Sequence, residues 1–109
     1  MPLMMPDNYL YNSKGEYIAF KIGNYIFNNK NAWIGWLPWS NNEIVNKEGE
    51  YIGTILNDRI YSFSRRNITE HPGYISFPGH PGYIKDPGFG GCTSLPPFAS
   101  DVELDQIMD

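Results

Sequence analysis

The sequence predicts an all-β fold: a pseudo-four-fold, mini-propeller-like assembly of short β-hairpin repeats, followed by a Pro/Gly-rich extended tail of polyproline II character. Three observations lead there. One phrase recurs along the first half of the chain, as YLYNSKGEYIAF at Tyr9–Phe20, YIFNNKNAWIGW at Tyr25–Trp36 and EIVNKEGEYIGT at Glu43–Thr54. Each copy carries the chemistry of a tight turn at its middle. From Pro72 the texture changes to PGYISFPGHPGYIKDPGFGG, which runs in threes.

The first strand of each hairpin alternates. Leu10, Ile26, Ile44 and Ile60 occupy one equivalent position, the last of these in a partial fourth copy that starts at Arg59, RIYSFSRRNI. Start-to-start spacings are 16, 18 and 16 residues, too short for helical solenoid units and suited to hairpins. The turns are Asn12-Ser13-Lys14-Gly15, Asn28-Asn29-Lys30-Asn31 and Asn46-Lys47-Glu48-Gly49. Asn at the first place bonds its own backbone two residues on, and Gly or Asn at the fourth tolerates positive φ. Together they predict a type I turn closed by a left-handed residue. The return strands share Ile18, Ile34 and Ile52, with β-branched and aromatic neighbours. Short links, Gly23-Asn24, Ser40-Asn41-Asn42 and Asn57-Asp58, join one hairpin to the next.

A lone two-stranded hairpin is marginal, so the units must bury their isoleucines against one another. Ala19, Gly35 and Gly53 each follow the return-strand isoleucine. Small residues at one place in every unit suit backbones crowded near a symmetry axis. An open meander or small barrel, with glycines at bends, is the alternative. The hairpin domain is expected to span residues 7–66 and the tail 67–109. Copy four lacks the turn glycine and a return strand, so it is either incomplete or completed by the N-terminus or the tail.

In the tail, Pro72, Ile75, Pro78, Pro81, Ile84 and Pro87 share one phase of a three-residue register, and Gly73, Gly79, Gly82, Gly88 and Gly91 the next. Tyr74, Phe77, His80, Tyr83, Asp86 and Phe89 hold the third. Three residues per turn is the period of polyproline II. Ser76 and Lys85 break the glycine series, which excludes a collagen helix. An extended tail with one glycine edge and one aromatic edge is built to dock, on its own domain or on a neighbour's.

The repeated Y-x-x-G-x-x-I/V-G/A-x units resemble the four-fold β-flower domain family, small bacterial proteins built of β-hairpin repeats. The matching positions run from Tyr9 to about Arg65. Some members carry a Pro/Gly tail, and this chain's end, with SLPPF at Ser94–Phe98, is similar. The resemblance implies a compact pseudo-four-fold arrangement of hairpins. It implies no activity and no catalytic residues.

Composition narrows function further. A net charge of −4 and a pI near 5.0 argue against nucleic acid and against anionic membrane surfaces. A single cysteine, Cys92, excludes an intrachain disulfide. No signal peptide or transmembrane stretch is legible, which leads to the expectation of a cytoplasmic protein.

Copy two holds all three tryptophans, in WIGWLPW. Trp33 aligns with Tyr17 and Tyr51, Trp36 with Phe20, and Trp39 falls in an insertion. Strict alternation from Trp33 puts Trp39 on its face and Trp36 on the other. Aromatic grooves hold polyproline II ligands, so Trp33, Trp36 and Trp39 with Tyr74 and Tyr83 are the candidate binding residues. The expected function is a non-enzymatic interaction module. Its partner would be a protein or peptide, a second copy included, with a stacked carbohydrate as a further candidate ligand. The alternative is a small metal-binding or hydrolytic protein using His71, His80 and Cys92, with Asp86 as a further ligand. Those spacings match no standard zinc pattern, so neither a metal nor a cofactor is expected.

Overall fold

The computed structural model describes residues 7–39, 42–63, 79, 84 and 86–102. Eight strands follow in chain order: β1 (Asn8–Tyr11), β2 (Tyr17–Ile22), β3 (Tyr25–Asn28), β4 (Trp33–Trp36), β5 (Glu43–Asn46), β6 (Tyr51–Leu56), β7 (Arg59–Phe63) and β8 (Ala99–Asp101). They form one sheet in sequence order, antiparallel throughout except that β1 also pairs in parallel with β7 at Tyr11 and Arg59. That pairing closes seven strands into a ring. No helix among the described residues is long and apolar enough to cross a membrane.

The three turns form as the tetrapeptides predict. In each, the Asn side-chain oxygen accepts from the N–H groups two and four residues on: Lys14 and Glu16 for Asn12, Lys30 and Ala32 for Asn28, Glu48 and Glu50 for Asn46. The fourth residue has positive φ, 83° at Gly15, 66° at Asn31 and 88° at Gly49. Its N–H returns to the Asn carbonyl at 3.0–3.1 Å.

Every hairpin carries one irregularity. Leu10 faces Ala19 but Tyr11 faces Tyr17, so Ile18 is an extra residue. Ile34 and Ile52 are extra in the same way, between partners Ile26–Gly35 and Phe27–Trp33, and between Ile44–Gly53 and Val45–Tyr51. A β-bulge turns two successive side chains to one face. Here it sends the isoleucine and the small residue after it both to the core. That core holds Leu10, Ile18, Ala19, Ile26, Ile34, Leu37, Ile44, Ile52, Ile55, Ile60 and Val102, all buried. The small residues answer to crowding: a β-carbon on Gly35 would run into the Val45 carbonyl oxygen. The pseudo-symmetry extends to backbone bonds, with the Leu37 N–H on Asn24 and the Ile55 N–H on Asn42.

The opposite face is aromatic. Phe20 and Phe27 stack with centroids 5.2 Å apart and planes 13° off parallel. Tyr17 stands edge-on to Tyr9 and Tyr11.

The tail completes the fourth unit. β8 pairs with β7 through Tyr61–Asp101, Ser62–Ser100 and Phe63–Ala99. Val102, next along, is buried in the core, and a β-carbon on Gly53 would lie 3.0 Å from its Cγ2. The free edge of β7 is thus shared, with β1 at its start and β8 along the rest. The stretch in three-residue register, Pro72 to Pro87, lies mostly outside the described residues.

Candidate functional site

The bulge at Ile34 decides where the tryptophans point. Trp33 pairs with Phe27 and Trp36 with Tyr25. Phe27 and Tyr25 are two apart on β3 and share a face, so Trp33 and Trp36 share it too. This corrects the strict alternation, which puts Trp36 on the other side; the extra residue resets the phase between them. The strand ends at Trp36, Leu37 turns into the core, and Trp39 lies beyond Pro38 in irregular chain. All three tryptophans are half-buried.

Local bonds fix this face. The Trp33 indole Nε1–H donates to the Gly35 carbonyl at 2.7 Å. The Tyr25 ring meets Trp33 edge-on with centroids 6.3 Å apart, and the Lys47 ammonium from the third turn sits 5.8 Å from the Trp33 ring centroid. An ammonium held there gains from the ring quadrupole. Hairpin two therefore presents Tyr25, Trp33 and Trp36 side by side, with a cation at one border. Of the other sequence-derived candidates, Tyr74, Tyr83, His71 and His80 lie outside the described residues. Cys92 is exposed, its thiol 3.7 Å from the Lys14 carbonyl oxygen. Among the described residues no three His, Cys, Asp or Glu side chains converge.

A second constellation escaped the sequence reading. Residues 86–102 form a strap across the first turn and β7, and Arg59 holds it. The guanidinium is buried and donates from Nη1 to the carbonyls of Gly91 at 2.6 Å and Asn12 at 3.0 Å, and from Nη2 to that of Gly90. Its Nε meets Asp58 at 3.1 Å, and its Cζ lies 5.4 Å from the Tyr11 ring centroid. The Gly90 N–H donates to Gly15 and the Thr93 N–H to Ser13, both at 2.8 Å. The hydroxyls of Tyr61 and Thr93 bond at 2.7 Å. One signal pointed here: Arg59 stands where the other copies have Tyr9, Tyr25 and Glu43, in the unit that lacks its own return strand.

Burial, and then the negative charge of Asp58, raises the Tyr11 phenol above its ordinary value. Burial raises Tyr17 further, helped by Tyr9. Both rings stay neutral and apolar at physiological pH. A separate shallow cleft of about 390 Å³ is lined by Asp7, Asn8, Lys21, Asn42, Ile55 and Asn57. Lys21 stands there where the other copies have core residues Leu37 and Ile55, and its ammonium pairs with Asp7 at 3.7 Å.

No curated protein and no solved structure matches the chain significantly. The family model described as 4-fold beta flower protein matches residues 7–100, which takes in the hairpins and most of the strap and β8. With the closed ring of repeated hairpins, this places the chain in the four-fold β-flower family.

Proposed function

We propose that this chain is a non-enzymatic interaction module whose binding surface is the aromatic face of its second hairpin. The supporting observation is that Trp36 exceeds what the repeat needs. Its equivalents are Phe20, which is buried, and Thr54, which shows that the architecture accepts a small polar residue there. Trp36 stays half-buried beside Trp33 on a face that bulge and indole hydrogen bond hold rigid. Rigid, partly exposed aromatic rings bind at low entropic cost.

The partner is a protein or peptide, with an extended Pro-rich segment as the class that fits. Flat aromatic walls accept proline rings, and Lys47 beside Trp33 favours an acidic flank. This chain supplies such a segment in Pro72–Phe89, with Tyr74 and Tyr83 in its aromatic phase. The experiment is a tryptophan-fluorescence titration of the full chain with a synthetic peptide of residues 72–89. Saturable binding is expected, and Trp36→Thr should weaken it at least tenfold while leaving the melting temperature nearly unchanged. Binding indifferent to Trp36→Thr would sink this surface. The reading as a metal-binding or hydrolytic protein has no observation among the described residues to support it.

A further inference from the structure

The cradle under the strap is fitted closely to the segment it holds. Gly90 lies flat on the Tyr11 ring, where a β-carbon would fall 2.5 Å from Cδ1. Glycine alone fits. A β-carbon on Gly15 would meet the Phe89 ring at 2.5 Å and the Gly91 backbone at 2.6 Å, so receiver and ligand interlock. Arg59 reads two consecutive carbonyls, Gly90 and Gly91. Tyr61 reads the Thr93 hydroxyl, and Ser13 reads the Asp101 carboxylate with both its N–H and its hydroxyl. Val102 then fills a place in the core. The ligand is a Gly-Gly-x-Thr segment, its second glycine at a φ of 79°, that leads into a strand bearing aspartate.

Each copy of the chain carries one such ligand and one such cradle. They are joined only through residues 64–85. A stretch of that length reaches at most ~75 Å, against 42 Å for the longest dimension of the molecule. The connection therefore does not dictate which cradle a strap enters.

We propose that residues 86–102 are exchangeable between copies. The strap and β8 of one chain fill the Tyr11–Ser13–Arg59 cradle of a second, making a strand-swapped homodimer in which every strap contact seen within one chain is kept between two. Exchange of an identical element adds no new interface chemistry and is a low-cost route to a dimer. The occupant is a second copy because the cradle's requirements, two glycines, a threonine and an aspartate at fixed separations, are met by this chain's own sequence. The proposal does not depend on the tryptophan surface.

The test uses the full chain, refolded at two concentrations tenfold apart, with mass read by light scattering. The dimer-to-monomer ratio is expected to rise by mass action, about tenfold where monomer predominates and about threefold where dimer does. A Lys14→Cys variant then identifies the surface, because native Cys92 lies against the Lys14 carbonyl. Oxidation should give an interchain disulfide in the dimer fraction. Lys30→Cys, at the equivalent place in the second turn, should give none. Absence of a dimer at both concentrations overturns the proposal. So does a dimer whose disulfides are all intrachain, absent, or equally abundant with Lys30→Cys. In that last set the dimer uses another surface, and the tryptophan reading stands or falls by its own titration.

Discussion

The Asp101 carboxylate accepts two hydrogen bonds from Ser13, one from the backbone N–H and one from the hydroxyl, both 2.7 Å long. The residues lie 88 apart in sequence, and this contact ties the chain's last described strand to its first turn. Bonds to an ionised acceptor are worth about 1.5–3 kcal/mol each when the partner cannot be replaced by water. Asp101 is half-exposed, so the lower end applies. Asp101→Asn keeps the shape and loses the charge. It should lower unfolding stability by about 1 kcal/mol in a urea titration, and Ser13→Ala by a similar amount. A double-mutant cycle should then show clear non-additivity; strictly additive losses would mean the two residues act apart.

Arg59 bears more. Its guanidinium serves the carbonyls of Asn12, Gly90 and Gly91 at once. Arg59→Met preserves much of the apolar stem and strips the donors. The Gly90 and Gly91 carbonyls lose the Arg59 donor, the Asn12 carbonyl keeps only the Gly15 N–H, and the strap loses its anchor. Stability should fall by about 3 kcal/mol, and the Gly90 and Thr93 amides should lose hydrogen-exchange protection before those of β3 and β4. Arg59→Lys should recover little, because one ammonium cannot span carbonyls held by a planar fork. Uniform loss of protection across the ring would contradict a local clasp.

Local chemistry made the hairpins legible. Asn at the head of each turn and Gly or Asn at its fourth place determine backbone geometry over four residues, and nothing distant competes. The position of Ala19, Gly35 and Gly53 after an isoleucine was legible too, but not its cause: a bulge is a property of pairing, and pairing involves two strands. That is why alternation misplaced Trp36. The strap contacts were illegible for a stronger reason. Ser13 and Asp101, or Arg59 and Gly91, meet only after the ring has closed, and no period in the sequence relates them. The family resemblance reached only to about Arg65 by repeat pattern, whereas the family match extends to residue 100, and β8 is part of the sheet.

The three small residues behind the bulges should respond differently to one added methyl. The first unit already carries Ala19, fully buried. At Gly53 the new methyl would meet the Val102 and Ile60 side chains at 3.0–3.1 Å and the Tyr61 carbonyl oxygen at 3.1 Å, contacts that small shifts relieve. At Gly35 it would strike the Val45 carbonyl oxygen, which is fixed in the β4–β5 ladder. Gly35→Ala should cost about 2–3 kcal/mol, at the upper end of overpacking penalties, and Gly53→Ala about 1 kcal/mol. Guanidinium midpoints for the two variants check the order. Equal losses would show that the backbone contact at Gly35 relaxes.

Alkaline pH should unfold the ring from its tyrosine face. Burial raises the Tyr17 phenol well above its ordinary value of 10.0, so the folded state holds this proton more tightly than the unfolded chain does. The sign follows from linkage. Where folding raises a pKa, the stabilisation is complete below the unfolded value and is lost as pH rises through and beyond it. Stability should therefore be flat up to about pH 9 and decline above pH 10 as the unfolded phenolate becomes available. Tyr11, raised in the same direction by burial and Asp58, adds to the same limb. Tyr17→Phe keeps the ring against Tyr9 and Tyr11 and removes the proton. It should be nearly silent at neutral pH and should make the alkaline limb shallower in pH-dependent urea unfolding. A limb of unchanged slope would assign the alkaline loss to other tyrosines or to lysine deprotonation.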